Sequence, residues 1–238
     1  MEIAYDGSYF SGWQIQPAAA TVQGVMEDCL GRITKTKTAL RVAGRTDAGV
    51  HAIGQVASFK TVSGMTGKQF KAALNSILPE SIRIIDVYEV PPEFHPRYSA
   101  KKRWYRYIIS TAPVLMPFFF HYVLWENRHV DESLVNEYCR RIVGLHDFRS
   151  FATLGPGEVP YREVYECECK RKNEFVLCDI TANAFLRKMI RALIGTFLEL
   201  ERKRTDPDQV TEILKMHDRS TAGATASPAG LYLVKVFY

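Results

Sequence analysis

The chain has 238 residues, of which 47% are hydrophobic and 12% aromatic, so it can form a buried core and is not intrinsically disordered. Its net charge of +5 is too small to establish a nucleic-acid partner by itself. No apolar run reaches the roughly 18 residues that a membrane span needs, and the first residues lack the pattern of a signal peptide, so we expect a cytoplasmic protein.

The first part of the chain predicts short strands mixed with helices. Residues 3–5 form the end of a strand that stops at the turn residues Asp6 and Gly7. Thr21 is placed to cap a helix, because apolar residues recur after it at helical spacing. The other predicted elements of this part are strands at 40–43, 54–59 and 82–88 and a helix at 68–78.

The second part of the chain predicts a similar order of elements. Residues 103–110 form a strand with Tyr105 and Tyr107 on one face and Arg106 on the other. Cys167 and Cys169 alternate with glutamates, which indicates one face of a strand in a reducing compartment. The remaining predicted elements are a helix capped by Asp131, strands at 161–169 and 174–182, a helix at 185–200, a helix that begins at 206–207, and a strand at 230–238.

These elements do not alternate regularly between strand and helix, which indicates an α+β fold with a mostly antiparallel sheet. We divide the chain into an N-terminal half, residues 1–98, and a C-terminal half, residues 99–238. The five cysteines lack the paired Cys-x-x-Cys spacing of a zinc site, so we expect no metal.

Positive charge is concentrated in three clusters. The first combines cations with several aromatic side chains, a mixture that single-stranded RNA binding uses for phosphate contacts and base stacking. A solvated protein surface is the alternative explanation for this cluster. In the second, Arg187 and Arg191 are expected one turn apart on a single face of the predicted helix 185–200. The basic residues are Arg97, Lys101, Lys102, Arg103 and Arg106 in the first cluster, Arg187, Lys188 and Arg191 in the second, and Arg202, Lys203 and Arg204 in the third.

The segment 44–51, Gly-Arg-Thr-Asp-Ala-Gly-Val-His, lies between two predicted strands. Its glycines permit a tight backbone and the close approach of a ligand. An ion pair between Arg45 and Asp47 would keep the carboxylate ionised, as a nucleophile requires. The loop alone fits a structural turn equally well, with Asp47 bonded to its own backbone. It lacks the Gly-Lys-Ser/Thr ending of a phosphate-binding loop.

Other short motifs accompany this loop along nearly the whole chain. They are Tyr-Asp-Gly-Ser (5–8), Gly-Trp-Gln (12–14), Phe-His-Pro-Arg (94–97), Arg-Trp-Tyr-Arg-Tyr-Ile (103–108), His-Asp-Phe (146–148), Ala-Asn-Ala-Phe-Leu (182–186), Met-Ile-Arg (189–191) and Gly-Leu-Tyr-Leu-Val (230–234). Together with residues 44–52, and in the same order, they resemble the signatures of the TruA family of tRNA pseudouridine synthases.

The resemblance implies roles for individual residues. Asp47 is expected to form a covalent adduct with the target nucleotide, at C1′ of the ribose or at C6 of the base. Tyr105 is the ring expected to stack on the uracil, and Arg191 is the basic partner of the aspartate. Arg45 is expected to displace and hold the target nucleotide, and Leu231 to line the pocket. The further residues expected to bind substrate are the basic Lys101, Arg103 and Arg187.

The resemblance also implies two ferredoxin-like halves that form a continuous, mostly antiparallel sheet flanked by helices, with the active-site cleft between the halves. It implies a homodimer that binds tRNA, needs no cofactor, and converts uridines 38–40 of the anticodon stem-loop to pseudouridine. Met1 lies only four residues before Tyr5, so the first strand is expected to be short or to start upstream.

Three alternatives remain open. The first is a non-catalytic RNA-binding protein on the same scaffold, but the presence of Asp47, Tyr105 and Arg191 argues against it. The second is a hydrolase that uses Asp47 with His51, but the chain has neither a metal-ligand set nor a phosphate loop to support it. The third is a related synthase that acts on other RNAs.

Overall fold

The computed structural model describes all 238 residues, and it contains ten strands and five α-helices. In chain order they are β1 (Glu2–Tyr5), α1 (Val22–Thr34), β2 (Arg41–Val42), β3 (His51–Ser58), α2 (Gly67–Ile77), β4 (Ile82–Asp86), β5 (Lys102–Ser110), β6 (Leu124–Trp125), α3 (Glu132–Arg141), β7 (Gly144–Asp147), β8 (Tyr161–Lys172), β9 (Phe175–Ala182), α4 (Met189–Arg202), α5 (Asp208–Met216) and β10 (Leu231–Phe237). Most strand pairs are antiparallel, so the predicted α+β class with a mostly antiparallel sheet is confirmed.

The chain forms two compact units. Unit 1 consists of residues 1–101 and 232–238, and unit 2 consists of residues 102–231. The C-terminal strand belongs to unit 1 because Tyr232 and Leu233 of β10 pair in parallel with His51 and Ala52 of β3. The division of the sequence at residue 98 assigns this strand to the C-terminal half. The pairing of β10 with β3 joins residues that are too distant in sequence to leave a local signal.

In unit 1 the strand order is β4-β1-β3-β10, with β2 paired to β3. The first strand is short, yet it pairs antiparallel on both sides, with β3 and with β4. The predicted cap of α1 is confirmed, because the Thr21 side chain accepts a hydrogen bond from the Gly24 N–H. β3 begins at His51 rather than at residue 54, so His51 belongs to the strand that follows the Asp47 loop.

In unit 2 the strand order is β5-β9-β8-β7, with β6 paired to β5. The predicted alternation of β5 is confirmed, since Tyr105 and Tyr107 are buried opposite Ile180 and Cys178 of β9. The predicted cap of α3 is also confirmed, because the Asp131 side chain accepts hydrogen bonds from the N–H groups of the second and third residues of that helix. The helix α3 packs against β8 of this sheet.

The helix α4 begins at Met189, four residues later than predicted. Lys188 has a φ of +66°, which lies outside the helical region, and the Asn183 side chain accepts a hydrogen bond from the Ala184 N–H. These local features keep residues 183–188 out of the helix. Arg187 therefore precedes the helix, and the prediction that it shares a helix face with Arg191 is wrong.

Two of the five cysteines form a disulfide. Cys169 and Cys178 are direct partners in the antiparallel pairing of β8 with β9 and are joined by the disulfide. The expectation that Cys169 lies in a strand is confirmed, but the expectation that it is a reduced thiol is wrong. No group of three or more His, Cys, Asp or Glu side chains is arranged to hold a metal ion, and no helix has the length and apolarity to cross a membrane.

Candidate active site

The predicted catalytic loop lies in unit 1 and connects β2 to β3. Within the loop Thr46 is buried, Asp47 is half-buried, and Arg45 is exposed. The Val50 N–H donates to the carbonyl of Asp47 at 3.1 Å, which closes a turn after the aspartate. Gly49 makes that turn with a φ of +76°, a conformation that favours glycine. The loop is thus an ordered turn with Asp47 at its first position.

Residues 10–13 of unit 1 hold the loop through backbone hydrogen bonds. The Trp13 N–H donates to the carbonyl of Thr46 at 3.0 Å, and the Gly49 N–H donates to the carbonyl of Phe10 at 3.3 Å. Gly12, with a φ of +91°, passes so close that a Cβ there would lie 2.8 Å from the Thr46 carbonyl oxygen. The glycine at position 12 is therefore needed for direct backbone contact with the Asp47 loop.

Tyr5 of β1 contacts the loop through its buried hydroxyl. Its hydroxyl lies 2.7 Å from Oγ1 of Thr46, and the Gln55 side-chain amide donates to the carbonyl of Gly44 at 2.7 Å and to the Tyr5 hydroxyl at 3.3 Å. Burial raises the pKa of Tyr5 to about 12, although the hydrogen bonds with Thr46 and Gln55 act in the opposite direction. Tyr5 is therefore neutral at physiological pH, and its hydroxyl holds the loop through hydrogen bonds with Thr46 and Gln55.

His51 holds the turn that follows β1. Its Nδ1 accepts a hydrogen bond from the Gly7 N–H at 3.0 Å, and its ring stacks on Tyr232 with centroids 4.7 Å apart. Asp6 Oδ1 also lies 3.3 Å from Nδ1, but a nitrogen that accepts from Gly7 carries no proton to give to Asp6. We therefore assign the neutral tautomer with its proton on Nε2. In this arrangement His51 orients the backbone.

Unit 2 contains the predicted stacking ring and its buried neighbour. Tyr105 lies on β5 and is 7% exposed, and its ring meets Phe185 edge-on with centroids 5.1 Å apart. Tyr107, two residues later, is fully buried, and its hydroxyl donates to the carbonyl of Ser227 at 2.7 Å. Burial raises the pKa of Tyr107 above its ordinary value. Tyr107 is thus a packing residue.

The predicted basic partner, Arg191, lies in the first turn of α4. Its Nε donates to the carbonyl of Ala226 at 2.8 Å, and the Ala226 N–H donates to the carbonyl of Arg191 at 3.0 Å. Two hydrogen bonds with one residue therefore hold both the backbone and the guanidinium of Arg191.

The other predicted substrate-binding residues differ in exposure. Arg45 and Lys101, in unit 1, and Arg187, in unit 2, are exposed. Arg103 is buried, and its Nη1 donates to the carbonyl of Asn183 at 2.6 Å, while Leu231 is buried at the start of β10. Thus unit 1 carries Arg45, Asp47 and Lys101, and unit 2 carries the remaining predicted site residues.

In two of the three basic clusters, carboxylates form ion pairs with the cations. In the first, the Arg106 guanidinium binds Asp179 through two hydrogen bonds of 2.9 and 2.8 Å, and the Trp104 indole N–H donates to the same carboxylate. In the third, every cation is ion-paired; the pairs are Arg202 with Glu126, Lys203 with Glu199 and Arg204 with Asp131. The third cluster is therefore a network of surface ion pairs.

The sequence alone indicates no individual role for Tyr5, Gly12 or Gln55, which hold the loop. Tyr5 and Gly12 stand in motifs that were recognised, and Gln55 follows the loop by a few residues. Their contacts connect β1, the 10–13 segment and β3, so only the folded chain reveals what they do.

Comparisons with known proteins give a consistent result. A family model described as tRNA pseudouridine synthase matches residues 2–99 and 138–238. The tRNA pseudouridine synthase A of Thermotoga sp. (strain RQ2) is 40% identical over 238 residues, which cover 99% of this chain and 97% of that protein. The proteins of the same name from Geobacillus kaustophilus and Borrelia duttonii are 41% and 39% identical, over 99% and 100% of this chain and 92% and 97% of their own lengths. A solved structure entitled "Crystal Structure of a Cbf5-Nop10-Gar1 Complex" reaches a TM-score of only 0.39 at 12% identity over 84% of this chain and 53% of its own, too low to support an argument.

Proposed function

The chain belongs to the tRNA pseudouridine synthase family, and from that premise we propose that it converts uridines 38–40 of the tRNA anticodon stem-loop to pseudouridine through a covalent adduct with Asp47. The observation that supports this most is the way Asp47 is held. Its loop is fixed by backbone hydrogen bonds from Trp13 and Val50 and by the buried contact of Thr46 with Tyr5. A nucleophile gains from such preorganisation, because its orientation is set before substrate arrives.

The reaction has a simple balance. The bond between N1 and C1′ breaks, the uracil rotates, a bond forms between C5 and C1′, and the C5 proton is lost while N1 gains one. Uridine and pseudouridine are isomers, so the overall reaction needs neither an oxidant nor an attacking water. The enzyme must hold a detached base and provide a carboxylate that bonds to the nucleotide and later leaves.

We assign these tasks to three residues. Asp47 is the nucleophile, and the adduct forms at C1′ or at C6 with the same ionised carboxylate. Tyr105 stacks on the uracil, an interaction that contributes about 1–3 kcal/mol per base in other RNA complexes. Arg191 is assigned as the basic partner of Asp47, because a guanidinium keeps its charge at every physiological pH.

The target base must leave its helix before it can react. Flipping a paired base costs a few kcal/mol, so groups that hold the displaced strand favour reaction. Arg45 and Lys101 are exposed cations suited to phosphate contact, and Arg187 is exposed in the turn before α4. Arg103 and Leu231 are buried and are assigned to the wall of the substrate site. We further propose that the protein acts in the cytoplasm as a homodimer.

The test is to map pseudouridine in a tRNA transcript that has been incubated with the purified protein. We expect modification at positions 38–40 and at no other uridine, and no modification when those uridines are replaced by cytidine. Asp47→Asn, which retains the shape of the side chain and removes its charge, serves as the matched inactive protein. Pseudouridine found only outside the anticodon stem-loop would refute the position, and tight binding of tRNA without any product would identify a non-catalytic RNA-binding protein.

A further inference from the structure

Arg191 is held by a segment that the catalytic assignment does not involve. We call residues 219–227, which run from the end of α5 toward β10, the strap. Ala226 of the strap accepts from the Nε of Arg191 at 2.8 Å and donates its own N–H to the Arg191 carbonyl at 3.0 Å. An arginine side chain has many rotamers in solution, so a bond at Nε restricts the plane in which its guanidinium lies.

The strap lies directly on α4. Gly195 stands one helical turn after Arg191, and a Cβ there would come within 1.9 Å of the Ala224 carbonyl oxygen and 3.1 Å of the Ala226 nitrogen. In the next position, Oγ1 of Thr196 accepts from the Gly223 N–H at 3.0 Å. Backbone-to-helix contact of this kind is possible only where the helix has no side chain. Gly195 therefore sets the depth at which Ala226 meets Arg191.

Arg219 fixes the shape of the strap. Its Nη1 donates to the carbonyl oxygens of Ala222 and Gly223 at 3.2 and 3.0 Å, and its Nη2 donates to Oγ1 of Thr225 at 2.9 Å. These three acceptors belong to the strap itself, so one half-buried guanidinium joins its beginning to the residue before Ala226. A planar group with several donors can fix several acceptors at once, which a lysine cannot do.

We propose that Arg219 and Gly195 are positioning residues for the isomerisation, because through the strap they set the orientation of the Arg191 guanidinium. The inference rests on the proposed role of Arg191 as the basic partner of Asp47. A displacement of about 1 Å in a catalytic group can reduce a rate about 100-fold, so loosening the strap should slow the reaction without removing any group that contacts tRNA.

The experiment compares Arg219→Ala with Arg141→Ala, a control that removes a partly exposed arginine of α3 ion-paired with Asp208. Single-turnover rates at saturating tRNA, tRNA affinity and thermal midpoint are measured for each. We expect Arg219→Ala to lower the rate about 10- to 100-fold while the Kd for tRNA stays within about threefold of wild type. Thr225→Val, which removes one acceptor of Arg219, should lower the rate by a smaller factor. Gly195→Ala should also lower the rate, because the new Cβ would meet the Ala224 carbonyl oxygen and displace the strap.

A double-mutant cycle separates positioning from general destabilisation. Arg191→Lys keeps a cation and removes the Nε donor, so the strap can no longer orient the side chain. In that background we expect Arg219→Ala to cause no more than about a twofold further loss, because two changes on one coupled path are not additive. A wild-type rate for Arg219→Ala, or losses that multiply, would overturn the inference. A wild-type rate for Arg191→Lys and Arg191→Ala would overturn the proposed role of Arg191 and the inference with it.

Discussion

The hydroxyl of Tyr5 lies 2.7 Å from Oγ1 of Thr46, the residue that directly precedes Asp47 in the chain. The contact is buried, and it joins the end of β1 to the middle of the loop that carries the proposed nucleophile. Because Gln55 of β3 contacts the same hydroxyl, the loop is tied to both β1 and β3. The position of Asp47 thus depends on residues that have no chemical role.

The Tyr5 contact has a pH dependence whose direction follows from its burial. Burial raises the pKa of Tyr5 from an ordinary value of 10.0 to about 12, so above pH 10 the unfolded chain loses this proton while the folded chain keeps it. The free energy of unfolding therefore falls as the pH rises from 10 to 12, by roughly 1.4 kcal/mol per pH unit at most. Below pH 10 the contribution is fully present.

Tyr5→Phe isolates this effect in urea unfolding followed by circular dichroism. We expect wild type to be more stable than the variant by about 1–2 kcal/mol at pH 8, and the difference to shrink at pH 11. Tyr9→Phe, at a position 67% exposed, is the control and should give no such trend. A stability difference between wild type and Tyr5→Phe that is unchanged from pH 8 to pH 11 would contradict this account.

Gly12→Ala tests whether backbone contact positions Asp47. The new Cβ would lie 2.8 Å from the Thr46 carbonyl oxygen and 3.1 Å from the Asp47 carbonyl carbon, so the loop must move. We expect the single-turnover rate to fall at least about 10-fold. Gly64→Ala, where no atom lies within 4 Å of the new Cβ, should keep the wild-type rate. Equal rates for the two variants would show that the contact at Gly12 does not matter for catalysis.

Tyr105→Ala should separate turnover from affinity. We expect the rate at saturating tRNA to fall by about 100-fold or more, because the detached uracil loses its stacking partner, while most phosphate contacts persist. The control is Tyr138→Phe, which removes a hydroxyl bonded to the Thr205 carbonyl elsewhere in unit 2 and should cost about 1 kcal/mol of stability without changing the rate. Normal turnover with a large loss of tRNA affinity would exclude the proposed role of Tyr105.

Lys101→Ala should weaken the binding of tRNA and leave chemistry unchanged. The exposed ammonium is suited to one phosphate contact, so the slope of log affinity against log salt should become shallower by about 1. Lys215→Ala, which removes a lysine ion-paired with Glu212 on α5, is the control and should leave the slope as it is. The idea fails if both variants keep the wild-type salt dependence.

The features that the sequence predicted best are those decided by near neighbours in the chain. Thr21 and Asp131 cap the helices that follow them, and the alternation of β5 places Tyr105 and Tyr107 on the buried face. In each case a residue and its partners lie within a few positions, so propensity and periodicity are sufficient.

The features that were missed depend on distant partners or on a local bond that outweighs composition. The sequence does not show that the third basic cluster is ion-paired, because Arg202 and Arg204 meet Glu126 and Asp131, which lie more than 70 residues away in the sequence. The start of α4 was placed too early because the bond from Ala184 to the Asn183 side chain competes with the helix. Because α4 begins at Met189, Arg187 lies before the helix and not on it.

Release of tritium from tRNA labelled at C5 of its uridines tests the central claim most directly, because forming the bond between C5 and C1′ expels the C5 hydrogen. Wild-type protein should release tritium in proportion to the pseudouridine formed. Asp47→Ala should release none while it binds tRNA with nearly wild-type affinity. Wild-type release by the Asp47→Ala variant would contradict the assignment of Asp47 as the nucleophile.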